Sequence, residues 1–390
     1  MNESIYILGV GMAPVGEHWG VSLRELALQA IRPAIADAAG VRPQLLYVAN
    51  TLAPILSGQT HLGALLADFA GLHGVEALSV EAAGASGGVA FRQACLALEA
   101  GAAETAMVVG VEKVTDRVGT ELDAALSAWS DADYEAVHGL TAASQAALVM
   151  RRYLHEHEAP ADALAGFSVT AHRNAVGNPN AMFRRAITFE DYGRAGMVSD
   201  PLNLYDAAPL ADGAAAILLG RSTVPRHPDR PSVRVVATAS ATSRLAIHDQ
   251  EDPLSMPAAA MAAERALRAA GIGRDEVDLF ELHDSFSIYA ALALEAAGFA
   301  GRGQGWQMAR NGTIALDGSL PLLTMGGSKA RGEAGGATGV YQVAEVALQL
   351  QGRAGPSQVN GARIGMAQCL GGAGATAATT ILALEGSAAE

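Results

Sequence analysis

Short apolar runs alternate with stretches of helical spacing along almost the whole of this 390-residue chain, and the alternation breaks once and then restarts. Residues 5–10, 46–49, 77–80 and 105–111 read as strands, and residues 23–39, 62–71 and 87–100 carry apolar positions at helical spacing. The run over 105–111 is apolar without interruption, as in a strand covered on both faces. Such a rhythm predicts an α/β fold around a mainly parallel sheet. Residues 212–220 return to strand. Residues 221–231 are polar and carry Pro225, Pro228 and Pro231, which marks a linker. Beyond it the rhythm resumes, with strands over 233–239, 277–282, 363–367 and 376–383 and helices over 257–270, 285–297 and 339–350. The element order divides the chain into similar halves, residues 1–225 and 226–390. It suggests a duplicated fold, although the residues themselves show no repeat.

The break falls over residues 112–209. This segment holds Trp129, Tyr134, His138, a helical stretch over 142–153 and a loop-like stretch over 174–189. A long insertion without strand rhythm in an α/β unit serves as a lid or binding region, or as a contact between subunits. The two readings stand level.

Composition narrows the function. Half of the residues are hydrophobic in type, enough for a large core, and the formal net charge is −14. That balance argues against nucleic acid or an anionic membrane surface as a partner, while leaving room for a local basic pocket. Cys95 and Cys369 alone make no disulfide framework, so a reducing, cytoplasmic setting is expected. No apolar run approaches the length of a membrane span, and no basic, apolar leader opens the chain. Walker-type phosphate loops, dinucleotide fingerprints and metal-ligand spacings are also missing from the sequence, so no resident cofactor or metal is expected.

The segment Glu81-Ala82-Ala83-Gly84-Ala85-Ser86-Gly87-Gly88 reads as a strand running through a tight turn into a helix. That geometry presents a residue at a helix N-terminus, where free N–H groups favour a thiolate or an oxyanion. It resembles the active-site segment of the thiolases. Four further segments resemble the same family, in the family's order: Gly110-Val111-Glu112-Lys113; Asp206-Ala207-Ala208-Pro209-Leu210-Ala211-Asp212-Gly213-Ala214-Ala215; Glu281-Leu282-His283-Asp284-Ser285-Phe286; and the glycine-rich run from Gly326 through Lys329, Arg331, Gly332 and Glu333 to Gly339. Together they span nearly the whole chain. They point to the archaeal-type acetyl-CoA acetyltransferase and sterol-carrier branch. The resemblance implies the thiolase fold, two α/β halves with mixed five-stranded sheets in an αβαβα arrangement. It also implies an acyl-CoA thioester as substrate and a homodimer or higher assembly through the strand near 105–111. A small zinc-ribbon and OB-fold partner that receives coenzyme A is a further implication.

The resemblance also marks departures. The family's nucleophilic cysteine falls on Gly84, its G-H-P histidine on Glu333, and its asparagine-proline-serine run on Leu323-Thr324-Met325. The candidate catalytic residues are therefore His283 as oxyanion or thioester-carbonyl donor, Glu333 as general base, and Cys369 as acid/base group in Cys369-Leu370-Gly371-Gly372. Gly84 and Gly372 are candidate backbone N–H donors, and Ser86, Lys329 and Arg331 candidate substrate or coenzyme A contacts. Asp284 or Ser285 is expected to cap the following helix. Tyr341 fits a tyrosine common in this branch, and Cys95 reads as core. Three functions remain open: a carbon–carbon bond enzyme, for instance a retro-aldolase, that forms no acyl-cysteine; an acetyltransferase using Cys369; and a non-catalytic acyl-CoA-binding subunit.

Overall fold

The computed structural model describes residues 4–387. The chain begins with β1 (Ile5–Met12), α1 (Leu23–Asp37), β2 (Leu45–Ala49), α2 (Leu62–Phe69), β3 (Glu76–Val80), α3 (Ser86–Glu99) and β4 (Thr105–Glu112). The inserted region contains α4 (Thr120–Ser127), α5 (Ala142–Glu156), α6 (Ala165–Ala175), α7 (Phe189–Gly193) and a small hairpin of β5 (Met197–Ser199) and β6 (Leu202–Asn203). Strand β7 (Gly213–Arg221) closes this half. The second half runs β8 (Val233–Thr242), α8 (Pro257–Ala270), β9 (Leu279–Leu282), α9 (Ser287–Ala296), α10 (Gly305–Arg310), α11 (Thr338–Leu350), β10 (Ile364–Gly371) and β11 (Thr376–Leu384).

The strands form one mixed sheet in the order β3-β2-β4-β7-β1-β8-β11-β10-β9. The two halves meet at a short antiparallel join, Ile5 opposite Val235 and Tyr6 opposite Arg234. Five strands come from the first half and four from the second. Where a fifth strand of the second half would lie, only a lone parallel bridge forms, Phe280 with Leu322. The neighbours of Leu322 explain the interruption. Pro321 has no N–H to give a ladder, and Leu323 takes a left-handed φ of 51°.

Three helical layers enclose the two parts of the sheet. Helices α1 and α2 cover the outer face of the first half, and α8 and α9 that of the second. Helices α3 and α11 fill the middle. Every residue of α11 is buried, including Gln342, Glu345 and Gln349. Each of these has a partner: Gln342 donates to the Gln368 carbonyl (3.3 Å), Glu345 accepts from Arg331 (2.6 Å), and Gln349 donates to Thr324 Oγ1 (2.9 Å). Buried polar groups of this kind are tolerated only when paired.

Three expectations change. Five of the eight strand pairings in the large sheet are antiparallel, so it is mixed rather than mainly parallel. Strand β4 is hydrogen-bonded on both sides, to β2 and β7, so residues 105–111 have no edge to offer a second subunit. The free edge of the first half is β3, whose Leu78 is 48% exposed. Neither Asp284 nor Ser285 caps α9, whose N-cap position is Phe286 without a side-chain bond. Asp284 instead accepts the Ser328 N–H (2.6 Å) and Lys329 N–H (3.1 Å) of the glycine-rich loop.

Helix α1 lies against β1 with almost no gap. A Cβ at Gly11 would sit 2.1 Å from the Ala30 carbonyl oxygen, whereas a Cβ at Gly20 meets nothing within 4 Å. Gly11→Ala is expected to cost roughly 1–3 kcal/mol by overpacking. The urea midpoint should fall accordingly, while Gly20→Ala should stay within about 0.5 kcal/mol of the parent.

Candidate active site

Three strand or loop ends converge where the two halves meet. His283 immediately follows β9, Gly84 precedes α3, and Glu333 sits in the loop before α11. They line one chamber of about 170 Å³, together with Leu370 and Gly372 from the end of β10. Its remaining walls come from α9, through Phe286 and Tyr289, and from the inserted region, through Leu126, Trp129 and Gln145.

Glu333 is held firmly. Its N–H donates to the Pro209 carbonyl (2.8 Å), and its carbonyl accepts from Ala211 N–H (3.0 Å). One carboxylate oxygen, Oε1, accepts from Thr338 Oγ1 at 2.7 Å. The other, Oε2, lies 3.7 Å from His283 Nε2, and both residues are at most 4% exposed. Among the described residues neither Glu333 Oε2 nor His283 Nδ1 has a hydrogen-bond partner. Buried polar atoms left unpaired are costly and cluster where a ligand completes them. A carboxylate and an imidazole in an apolar chamber can take a proton and offer a hydrogen bond to a reacting oxygen.

Gly84 packs against this pair. A Cβ there would lie 2.6 Å from the Leu370 carbonyl oxygen and 3.0 Å from His283 Cε1. Any side chain at position 84 would therefore have to displace the histidine or the end of β10. The chain is close on both sides, and the backbone of Gly84 is what faces the chamber.

The remaining candidates lie elsewhere. Cys369 does not line the chamber. Along β10 the side chains alternate, so Leu370 faces the chamber and Cys369 faces the opposite way. Its Sγ contacts the Ala85 carbonyl at 3.5 Å and sits where a Cβ at Gly88 would be, 2.4 Å away. Burial pushes its thiol up to about 12, far from the thiolate form a nucleophile needs. Ser86 is spent on the turn, donating to the Ala83 carbonyl and accepting from Ala82 N–H, both at 2.7 Å. Arg331 is interior, paired with Glu345 at 2.6 Å and lying over the Tyr341 ring. It cannot reach a solvent-borne phosphate. Lys329 is buried too, and opens on a neighbouring cavity. Tyr341 is structural, donating to the Ala13 carbonyl (2.6 Å) and accepting from Ala214 N–H (3.0 Å). Cys95 is fully buried in the core.

Trp129 and Tyr289 were not foreseen as site residues. The Trp129 indole N–H is buried without a partner among the described residues. Tyr289 is 3% exposed, and its hydroxyl finds no partner among the described residues. In sequence Tyr289 is one more bulky residue on an apolar helix, and nothing in its spacing separates it from core.

Comparison with known proteins follows this geometry. Residues 5–223 match the family profile of the thiolase N-terminal domain, and residues 239–384 that of the thiolase C-terminal domain-like family. The chain belongs to the thiolase superfamily, whose members act on coenzyme A thioesters. It is 40% identical over 381 residues to the acetyl-CoA acetyltransferase of Methanothermobacter thermautotrophicus, covering 97% of this chain and 99% of that protein. It is 27% identical over 361 residues to the 17-hydroxy-3-oxo-4-pregnene-20-carboxyl-CoA lyase of Mycobacterium tuberculosis, covering 89% and 91%. Among solved structures it superposes on the Ltp2-ChsH2(DUF35) aldolase with a TM-score of 0.82 at 22% identity, over 98% of each chain.

The burial of both thiols predicts inertness. In the native protein at pH 8, neither Cys369 nor Cys95 should be alkylated by iodoacetamide over an hour, and both should react in urea. Mass spectrometry of the peptides checks this, and native labelling of Cys369 would show that the chamber reaches it.

Proposed function

We propose that this chain is an enzyme that makes or breaks a carbon–carbon bond in an acyl-CoA, with Gly84 in place of a cysteine nucleophile and without an acyl-cysteine intermediate. The observation that carries the reading is the buried pair Glu333 and His283, whose Oε2 and Nδ1 have no hydrogen-bond partner among the described residues, facing a chamber that no thiol enters. In the cleavage direction Glu333 takes the proton of a β-hydroxyl. That oxygen's electrons form the new carbonyl, and the bond between the α and β carbons breaks. Its electron pair passes into the thioester enolate. His283 holds the enolate oxygen, with the N–H groups of Gly84 and Gly372 alongside. The protonated Glu333 then returns the proton to the α carbon, leaving a shortened acyl-CoA and a free ketone or aldehyde. Each step needs only a base and donors, which suits a site without a nucleophile. The lyase and aldolase among the relatives are precedents for such an outcome on related chains.

Incubation with 3-hydroxyacyl-CoAs of varied chain, followed by mass spectrometry, tests the reading. Turnover should proceed without any covalent adduct. Glu333→Gln should lower kcat by roughly 10²–10⁴-fold while retaining acyl-CoA binding. A stable acyl adduct on Cys369, or full activity in Glu333→Gln, overturns it.

The assembly belongs to the same proposal. Strand β3 presents an unpaired edge and an exposed Leu78, features that invite pairing with a second copy. We infer a homodimer through β3. A small acyl-CoA-binding partner is inferred in addition; the structural relative titled Ltp2-ChsH2(DUF35) aldolase, which carries two names, favours it. Sedimentation should give a dimer for the parent and a shift toward monomer for Leu78→Lys. A parent that sediments as a monomer sinks the dimer.

A further inference from the structure

A second cavity, of about 320 Å³, lies beside the first, and Ala207 lines both. It is formed by α6, by the loop that follows it and by the turn at Leu204–Asp206. Its walls are largely rings. His172 stacks on Phe183 (centroids 6.1 Å apart, planes at 16°) and meets Tyr205 edge-on (5.5 Å, 88°). Ile187 and Leu204 complete the apolar part.

Among the described residues the charged side chains on this cavity are Lys329 and Arg185, and no carboxylate lines it. Lys329 is 2% exposed. Its Nζ donates to two main-chain carbonyls, those of Asp206 and of Ser285 (3.4 Å), which leaves one N–H unused. No acidic side chain comes within ion-pair distance of it among the described residues. Burial pulls this amine down to about 8 against the field of Asp284, Asp206 and Glu333. The Arg185 guanidinium makes no hydrogen bond or close ion pair among the described residues, although Asp191, already held by Thr188, lies within its field; His172 Nε2 has no hydrogen-bond partner there either. Clamping two carbonyls accounts for part of Lys329. It does not account for a second cation at the same cavity, or for a lining without acid among the described residues in a chain of net charge −14. A buried ammonium is stabilised by an anion brought to it, and a guanidinium beside it favours carboxylate or phosphate oxygens.

We propose that this cavity is a binding subsite for an anionic oxygen group, carboxylate or phosphate, carried on a flat apolar body that lies against Phe183 and Tyr205. Two sources share that chemistry: the far end of a coenzyme A thioester held in the reaction chamber across Ala207, or a free organic acid. The proposal does not depend on the carbon–carbon bond reading, because binding alone tests it.

Calorimetry on the full chain distinguishes the sources with three matched pairs: 2-naphthoate against 2-naphthamide, glutaryl-CoA against pentanoyl-CoA, and coenzyme A against its 3′-dephospho form. In at least one pair the more anionic member should bind about tenfold more tightly or better, the effect of one charge-assisted hydrogen bond. Arg185→Ala and Lys329→Met should each remove that advantage, and Arg185→Lys should restore part of it. The pair that responds names the source. Lys329→Met also removes a buried clamp, so its melting temperature is measured alongside. Arg185 is exposed, and Arg185→Ala therefore keeps the test decisive if Lys329→Met does not fold. Equal binding within all three pairs, or an advantage that survives Arg185→Ala, overturns the proposal.

Discussion

Three carboxylates buried at the ends of strands hold the loops of this molecule in place, and the geometry of the chamber depends on them. Glu112, at the end of β4, accepts from Thr51 N–H (3.0 Å), Leu52 N–H (3.1 Å), Asn50 Nδ2 (2.7 Å), Thr51 Oγ1 (2.9 Å) and, from the other half, Gly336 N–H (3.0 Å). Asp212 gathers Val114 N–H (2.7 Å), Thr115 N–H (2.9 Å) and Lys113 Nζ (2.9 Å). Asp284 receives the two N–H groups at the start of the loop that carries Glu333. That loop is thus suspended between Asp284 at one end and Glu112 at the other. The arrangement needs main chain very near the carboxylates. A Cβ at Gly327 would come 2.6 Å from Asp284 Oδ2, and one at Gly335 2.7 Å from Glu112 Oε2, so glycine is required at both.

The same carboxylates show the cost of the design. Burial raises the Glu112 and Asp284 carboxyls above their ordinary range despite the N–H groups they accept. For Asp212 burial acts in the same direction, but the bonds from Thr115 and Lys113 outweigh it and hold the carboxyl below that range. Stability is therefore spent to fix loops, and one of those loops in turn fixes Glu333.

Much of the fold could be read in the chain because strand and helix periods are local properties. Residues 257–270 form the helix their spacing predicts, and 105–111 form a strand that extends by one residue to Glu112. The weaker readings failed where tertiary context decides. Residues 105–111 look equally apolar whether they form an edge or a centre, and only the ladder places β4 between β2 and β7. The fifth strand of the second half is stopped by backbone conformations at Pro321 and Leu323 that hydropathy does not register.

The candidate site was legible where it depends on strand ends and illegible where it depends on which way a side chain turns. His283 and Glu333 come together because strand β9 and the glycine-rich loop end side by side. Cys369 stands next to Leu370 in sequence, and a period of two sends one into the chamber and the other behind it. Lys329 and Arg331 sit in a glycine-rich run that offered them as substrate or coenzyme A contacts, yet α11 and the loop itself bury them, one against carbonyls and one against Glu345. The helical turn over Gly327–Arg331 points Lys329 toward the second cavity and Arg331 into the core, and past Gly332, at φ 110°, Glu333 faces the first. One short segment thereby distributes two cations and one carboxylate among two cavities and the interior. Because Asp284 and Glu112 clamp both of its ends, a shift at any one of the three positions would have to be absorbed by the others.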